Sequence, residues 1–213
     1  MKFQIIPVTA FQQNCTLMWC EKTKKAAVVD PGGDIQRIQD AIEKNGLTLE
    51  RVLVTHGHLD HCGGAKALAT QNSVPIEGPN EADDWLLEKL GTDQTRMWGL
   101  PAGEPFTPER WLNQGDTVTV GEETLQVFEC PGHSPGHVAF FHAGSKVAIS
   151  GDVLFAGSVG RTDLPKGDFN ALAESIRNNL YTLGDDVQFI PGHGPVSSIG
   201  KERRSNPYVK DKK

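Results

Sequence analysis

The chain has 213 residues, 38% of them hydrophobic and 23% charged, ordinary globular usage at a length suited to one domain and short for two. Its 21 Lys+Arg and 27 Asp+Glu leave a net charge of −6, and outside a basic tail at 201–213 nothing concentrates positive charge, which argues against a nucleic-acid partner. The longest uncharged run, 3–20, is broken by Gln4, Pro7, Gln12, Gln13 and Asn14, so it reads neither as a membrane span nor as the apolar centre of a signal peptide.

Residues 3–8, 16–19 and 26–29 read as strands, the last stopped by Asp30-Pro31-Gly32-Gly33. Behind Asp34, placed as an N-cap, Ile35, Ile38 and Ile42 recur at helical spacing until Asn45-Gly46 ends the helix. A strand at 51–55 runs into the densest polar cluster of the chain. Helices are expected at 63–69 and 81–90, followed by an irregular stretch to Pro108. Two hairpins come next, 118–120 with 124–128 and 138–141 with 146–149, then a helix at 168–180 and a strand at 187–190. Strands outnumber helices and both kinds recur in each half, so the expected class is α/β, packed sheets with helices outside, in a single domain of residues 1–213. Cys15, Cys20, Cys62 and Cys130 form no CxxC pair and are too few for a disulfide framework. A soluble, cytoplasmic monomer is the expected state, with a small molecule rather than nucleic acid or membrane as its partner.

Four apolar runs end in a Gly- or Pro-marked turn carrying a metal-competent side chain: Val54-Thr55 into His56-Gly57-His58-Leu59-Asp60-His61, Val127-Phe128 into Pro131-Gly132-His133, Ala148-Ile149 into Gly151-Asp152, and Phe189-Ile190 into Pro191-Gly192-His193. Ligand sites lie in loops just beyond strand ends, so the four turns can converge on one cleft. Imidazole and carboxylate without thiolate suit zinc, iron or manganese in a reactive site. Seven such ligands exceed one tetrahedral ion and suit two ions sharing a carboxylate and a hydroxide. Two divalent ions per chain are expected, zinc by default, iron or manganese otherwise.

Thr55-His56-Gly57-His58-Leu59-Asp60-His61 resembles the T-H-x-H-x-D-H signature of the metallo-β-lactamase superfamily, and Pro131-Gly132-His133, Gly151-Asp152 and Pro191-Gly192-His193-Gly194 resemble its later motifs in the same order. The resemblance spans residues 3–200 and implies a four-layer αββα sandwich. It also implies His56, His58 and His133 on a first metal, Asp60, His61 and His193 on a second, and Asp152 bridging them. β-Lactamase branches usually carry Cys or His where Asp152 stands, which counts against antibiotic hydrolysis. Cys130-Pro131-Gly132-His133-Ser134-Pro135-Gly136-His137 with Gly151-Asp152-Val153-Leu154-Phe155 is most similar to glyoxalase II, in particular its short bacterial form. That implies hydrolysis of thioesters such as S-lactoylglutathione, with Asp60 orienting the attacking hydroxide and Arg161 meeting a substrate carboxylate.

The chain departs from full-length glyoxalase II in three places. Only twenty residues follow His193 where that form has a helical region holding glutathione, and Asp163 and Pro195 stand where it has tyrosines. Gly160-Arg161-Thr162-Asp163 also resembles persulfide dioxygenase, which would use one iron on His56, His133 and Asp152. His137 reads either as a partner of a ligand or as a strand cap, and His142 as structural. Asp30 reads as a turn carboxylate at a position that supports the ligand loops in the family, and Cys62 as a small buried residue. Arg203, Arg204, Asn206, Pro207 and Tyr208 resemble a C-terminal family motif.

Overall fold

Strands in the first half of the chain carry apolar residues toward both sides, and the fold covers both. In the computed structural model, which describes residues 1–92 and 99–211, β1 (Lys2–Val8), β2 (Gln13–Trp19), β3 (Lys25–Val29), β4 (Thr48–Leu53) and β5 (Ile76–Glu77) form one sheet in that order. The first three strands run antiparallel and β3-β4-β5 parallel. Because side chains alternate along a strand, Leu17, Ala26, Val28 and Val52 pack outward against α1 (Ile35–Lys44), α2 (Leu59–Cys62), α3 (Ala65–Asn72) and α4 (Asp84–Leu87). Met18, Ala27, Val29 and Leu53 pack inward.

The second half repeats the arrangement. β6 (Thr117–Val120), β7 (Glu123–Glu129), β8 (Val138–His142) and β9 (Val147–Gly151) are followed by a two-stranded ribbon, β10 (Leu154–Phe155) and β11 (Ser158–Val159), then by α5 (Phe169–Ser175), β12 (Gln188–Pro191), β13 (Ser197–Ser198) and α6 (Ile199–Ser205). The second sheet runs β13-β12-β9-β8-β7-β6, with β9 and β12 parallel. Val118, Val120, Leu125, Val127, Val138, Phe140 and Ile149 meet the inward residues of the first sheet. Ala139, Phe141, Ala148 and Phe189 pack outward with Leu172, Ile176, Leu180 and Ile199. Helix, sheet, sheet, helix is the expected αββα sandwich. β4, β7, β9 and β12 all deliver their following loops to one end of it.

Several local expectations are corrected. Asp34 has left-handed backbone angles, φ 50 and ψ 43, and does not cap α1 with its side chain; its carboxylate accepts Thr9 N at 2.8 Å instead. The 81–90 helix is shorter: Asn80 caps a 3-10 turn, Glu81–Asp83, that leads into α4. The 168–180 helix is capped as its sequence implies, Asp168 accepting Asn170 N and Ala171 N, but it widens into a π turn over Ile176–Leu180. The short pairings β5, β10-β11 and β13 and the helix α6 are not marked in the sequence. Part of the irregular stretch before Pro108 lies outside the described residues.

Phe140 fills the space between the sheets, so Phe140→Ala is expected to cost about 3–5 kcal/mol through lost burial and a cavity that neighbouring strands cannot close. Urea unfolding followed by circular dichroism measures this, as a lower midpoint at unchanged slope.

Candidate metal centre

The four loops bring all seven predicted ligands together. His58 Nδ1 lies 2.9 Å from His133 Nε2, and one ligand atom from each of His56, His58 and His133 falls within 4.8 Å of the others. Asp60, His61 and His193 form a second such group, with His193 Nε2 at 3.1 Å from Asp60 Oδ2 and 3.3 Å from His61 Nε2. Asp152 faces both groups. Its Oδ1 is 3.3 Å from His61 Nε2, while its Oδ2 is 3.6 Å from His133 Nε2 and 3.8 Å from His193 Nε2.

Cation binding fits these atoms. His56 Nε2 and Asp152 Oδ1 are buried with no hydrogen-bond partner, and leaving such atoms unmatched ordinarily costs about 1–3 kcal/mol each. His133 donates Nδ1–H to Arg161 O at 2.8 Å, which leaves Nε2 with its lone pair. His56 Nδ1 meets Thr55 Oγ1 at 3.0 Å, and that hydroxyl donates to Asp30 Oδ2, so His56 Nε2 is free in the same way.

The sequence profile of the metallo-beta-lactamase superfamily matches residues 8–193. This chain belongs to the metallo-beta-lactamase superfamily. It is 47% identical over 213 residues to hydroxyacylglutathione hydrolase GloC of Haemophilus influenzae, covering 100% of both chains. Among solved structures it resembles the BLEG-1 B3 metallo-beta-lactamase (TM-score 0.91, 34% identity, 99% of this chain and 100% of that one). It also resembles TTHA1623 in a di-iron-bound form (TM-score 0.87, 34% identity, 97% and 100%).

In this member of the superfamily the ligand loops are held from behind by residues of their own. Asp30 is more than a turn carboxylate: Oδ1 accepts Thr55 N at 2.7 Å, and Oδ2 accepts Thr55 Oγ1 at 2.7 Å and faces His61 Nδ1 at 2.9 Å. His137 partners two of the candidate ligands rather than capping a strand, because Nε2 accepts Asp152 N at 3.0 Å while the ring stacks on His56 at 4.6 Å. Close approach demands glycine at Gly192, where a Cβ would collide with Asp152 Oδ1 and His61 Cε1. His142 stands apart, bonded to Ser145 and Glu123. Cys62 is buried and donates Sγ–H to His58 O. Arg161 is exposed and pairs through two 2.7 Å bonds with Asp163. Arg203 and Arg204 pair with Asp185, and Asn206 Nδ2 donates to Ser158 O at 3.0 Å, so the C-terminal motif ties α6 to neighbouring loops.

Two supports escaped sequence reasoning. Asp83 is fully buried and accepts Gly57 N at 3.0 Å, Ser134 Oγ at 2.7 Å and Gly136 N at 2.7 Å, bracing the His56–His58 loop against the His133 loop. Asn14 flanks His193, donating N–H to Gly192 O at 2.7 Å and Nδ2–H to Pro191 O and Gly194 O. An acid in a helical stretch and an amide beside a strand carry no local signal of either role.

Electrostatics sort the ligands. Burial, reinforced by the surrounding imidazoles, holds His56 well below the ordinary histidine range, and burial together with His133 lowers His58 to about 3. Burial pushes Asp60 and Asp152 up, but His61 and the other imidazoles outweigh it and both stay below the usual carboxylate range. Neutral imidazoles and anionic carboxylates are the forms a cation requires. Burial opposes charge on His61 as well, yet Asp152, Asp60 and Asp30 outweigh it and raise His61 above the ordinary histidine range.

Asp83→Ala leaves three buried donors unmatched on two ligand loops. Metal affinity is expected to fall about 10–100-fold, the usual loss for an outer partner, as measured by chelator competition; unchanged affinity would show that the brace does not position the loops.

Proposed function

We propose that residues 1–213 form one domain that hydrolyses thioesters such as S-lactoylglutathione, using two divalent metal ions, zinc by default and iron or manganese otherwise. His56, His58 and His133 would hold one ion and Asp60, His61 and His193 the other, with Asp152 shared. The observation that carries this reading is the placement of Asp152, one carboxylate oxygen toward each three-residue group. The relative named hydroxyacylglutathione hydrolase, matched end to end, supports the choice of thioester.

Two divalent ions held by these residues would lower the pKa of a bound water toward neutrality and polarise the thioester carbonyl. The chain's own groups supply orientation. Asp60, anionic and half-buried beside His193, accepts a proton of the attacking water and aims its lone pair at the carbonyl carbon. Water oxygen bonds to that carbon, the C–S bond breaks, and the thiol departs as thiolate, which is acidic enough to leave without a strong general acid. Asp30, Thr55 and His137 keep the ligands from turning as charge moves. No described helix is long and apolar enough to cross a membrane, and the four cysteines are free and buried.

Elemental analysis and S-lactoylglutathione hydrolysis on one preparation test the reading, with close to two ions per chain and metal-dependent turnover expected. Asp152→Ala should lose far more activity than His142→Ala, since only the first lies between the two groups; equal losses would overturn the ligand assignment. Oxygen consumption with glutathione persulfide, in place of thioester turnover and with one iron per chain, would move the assignment to a persulfide dioxygenase.

Arg161 would serve the same substrate by exchanging Asp163 for a substrate carboxylate. Arg161→Ala should raise KM roughly tenfold or more with metal content intact, the scale of one charge-assisted hydrogen bond. A lowered Tm with KM unchanged would confine Arg161 to holding its own loop through Asp163.

A further inference from the structure

Two lysines converge on one indole at the rim of the metal centre. The ammonium groups of Lys89 and Lys166 lie 4.7 and 4.5 Å from the centroid of the Trp85 ring. Trp85 is on α4, which begins directly after Asp83, the residue that holds Gly57 between His56 and His58. Lys166 comes from the 161–168 loop, which is fastened at both ends to the His133 loop: Arg161 O accepts His133 Nδ1–H, and Asp168 N donates to Gly132 O, each at 2.8 Å. The indole and its two cations bridge the segments that carry His58 and His133.

Several of the protein's surface lysines are neutralised by a carboxylate. Lys22, Lys25, Lys66 and Lys146 each meet a Glu or Asp, and the nearby Arg161 is paired with Asp163. Among the described residues, neither Lys89 nor Lys166 has a carboxylate partner. In a chain of net charge −6, two cations gathered on one ring with no carboxylate partner among the described residues run against the average. A ring face attracts a cation but carries no net charge of its own, so among the described residues both charges are left without a counter-ion and an anion completes the arrangement.

We propose that Lys89 and Lys166, set on Trp85, form a subsite for a carboxylate on the thiol half of the substrate, lodging that half on the His58–His133 side of the centre. The subsite selects thioesters of acidic thiols, peptide thiols with free carboxylates among them, over thioesters of uncharged thiols. Two ammonium groups on flexible stems suit a point contact with an anion rather than a forked one, and their field draws such substrates to the rim. The identity of the ligand rests on the thioester reading, whereas the subsite itself can be tested without turnover.

The test uses the metal-loaded protein and the double variant Lys89→Ala/Lys166→Ala, with Lys44→Ala on α1 as a control for the loss of positive charge elsewhere. S-methylglutathione, which has no thioester, is titrated by calorimetry. The double variant should bind it at least tenfold more weakly, and Lys44→Ala should stay within twofold of wild type. In turnover, the ratio of KM for S-lactoylglutathione to KM for the lactoyl thioester of N-acetylcysteamine, which has no carboxylate, should rise tenfold in the double variant. Equal Kd in the double variant and wild type, equal weakening in Lys44→Ala, or no binding to wild type would each overturn the subsite. A wild type that binds S-methylglutathione through these lysines yet hydrolyses neither thioester would remove the proposed reaction and leave the subsite standing.

Discussion

Two buried carboxylates, Asp30 and Asp83, are the constraint on which the site depends. Each spends its oxygens on donors from the ligand loops: Asp30 on Thr55 N, Thr55 Oγ1 and His61 Nδ1, Asp83 on Gly57 N, Ser134 Oγ and Gly136 N. A carboxylate out of water is costly unless its lone pairs are matched, so each acid has one stable arrangement, and that arrangement locates three neighbours at once. The first loop is thereby tied to its own sheet through Asp30 and to the opposite half of the chain through Asp83.

The sandwich supplies the rest of the rigidity. Its two sheets close on an apolar layer of Met18, Leu53, Val127, Phe140 and their neighbours, and close-packed side chains of this kind resist small displacements. Loops leaving β4, β7, β9 and β12 inherit those positions, which is how histidines 75 and 132 residues apart in the chain from His58 and His61 come within hydrogen-bonding distance. Burial, reinforced by repulsion among the imidazoles, holds His56 and His58 below the ordinary histidine range, while the imidazoles hold Asp60 and Asp152 below the usual carboxylate range against the effect of burial. The same packing that crowds the ligands prepares them for a cation.

The rim beyond the ligands is divided in character. On one side Arg161, whose carbonyl accepts His133 Nδ1–H, pairs with Asp163, and the exposed Lys89 and Lys166 sit on Trp85. Near His193 the chain offers Phe11, whose carbonyl faces the His193 ring, and Phe155, 6.4 Å from it between ring centroids. A substrate with one acidic and one less polar half has a preferred way to lie across such a centre, which ties the charge asymmetry of the rim to the direction in which the scissile bond is presented.

Much of this was legible in the residues themselves. Strand ends were marked by Gly and Pro, and a metal-competent side chain followed each mark; the capacity to bind a metal is a local property of residue type, so His56, His58, Asp60, His61, His133, Asp152 and His193 could be named as candidates, and their order along the chain carried the superfamily and its αββα layers. Unbroken apolar runs also marked β3 and the end of β4, which the sandwich buries on both faces. Only the tertiary structure decided the roles of Asp83, Asn14 and His137, and the meeting of Lys89 with Lys166 on Trp85, because each acts on a partner far away in sequence and its own neighbours look the same whether or not that partner is there. Asp34 shows the converse: its position before a helix predicted a cap, and a distant backbone N–H at Thr9 took its carboxylate instead. Hydrogen bonds are satisfied by whichever partner the packed chain brings within reach, and that choice is made across the fold rather than along the sequence.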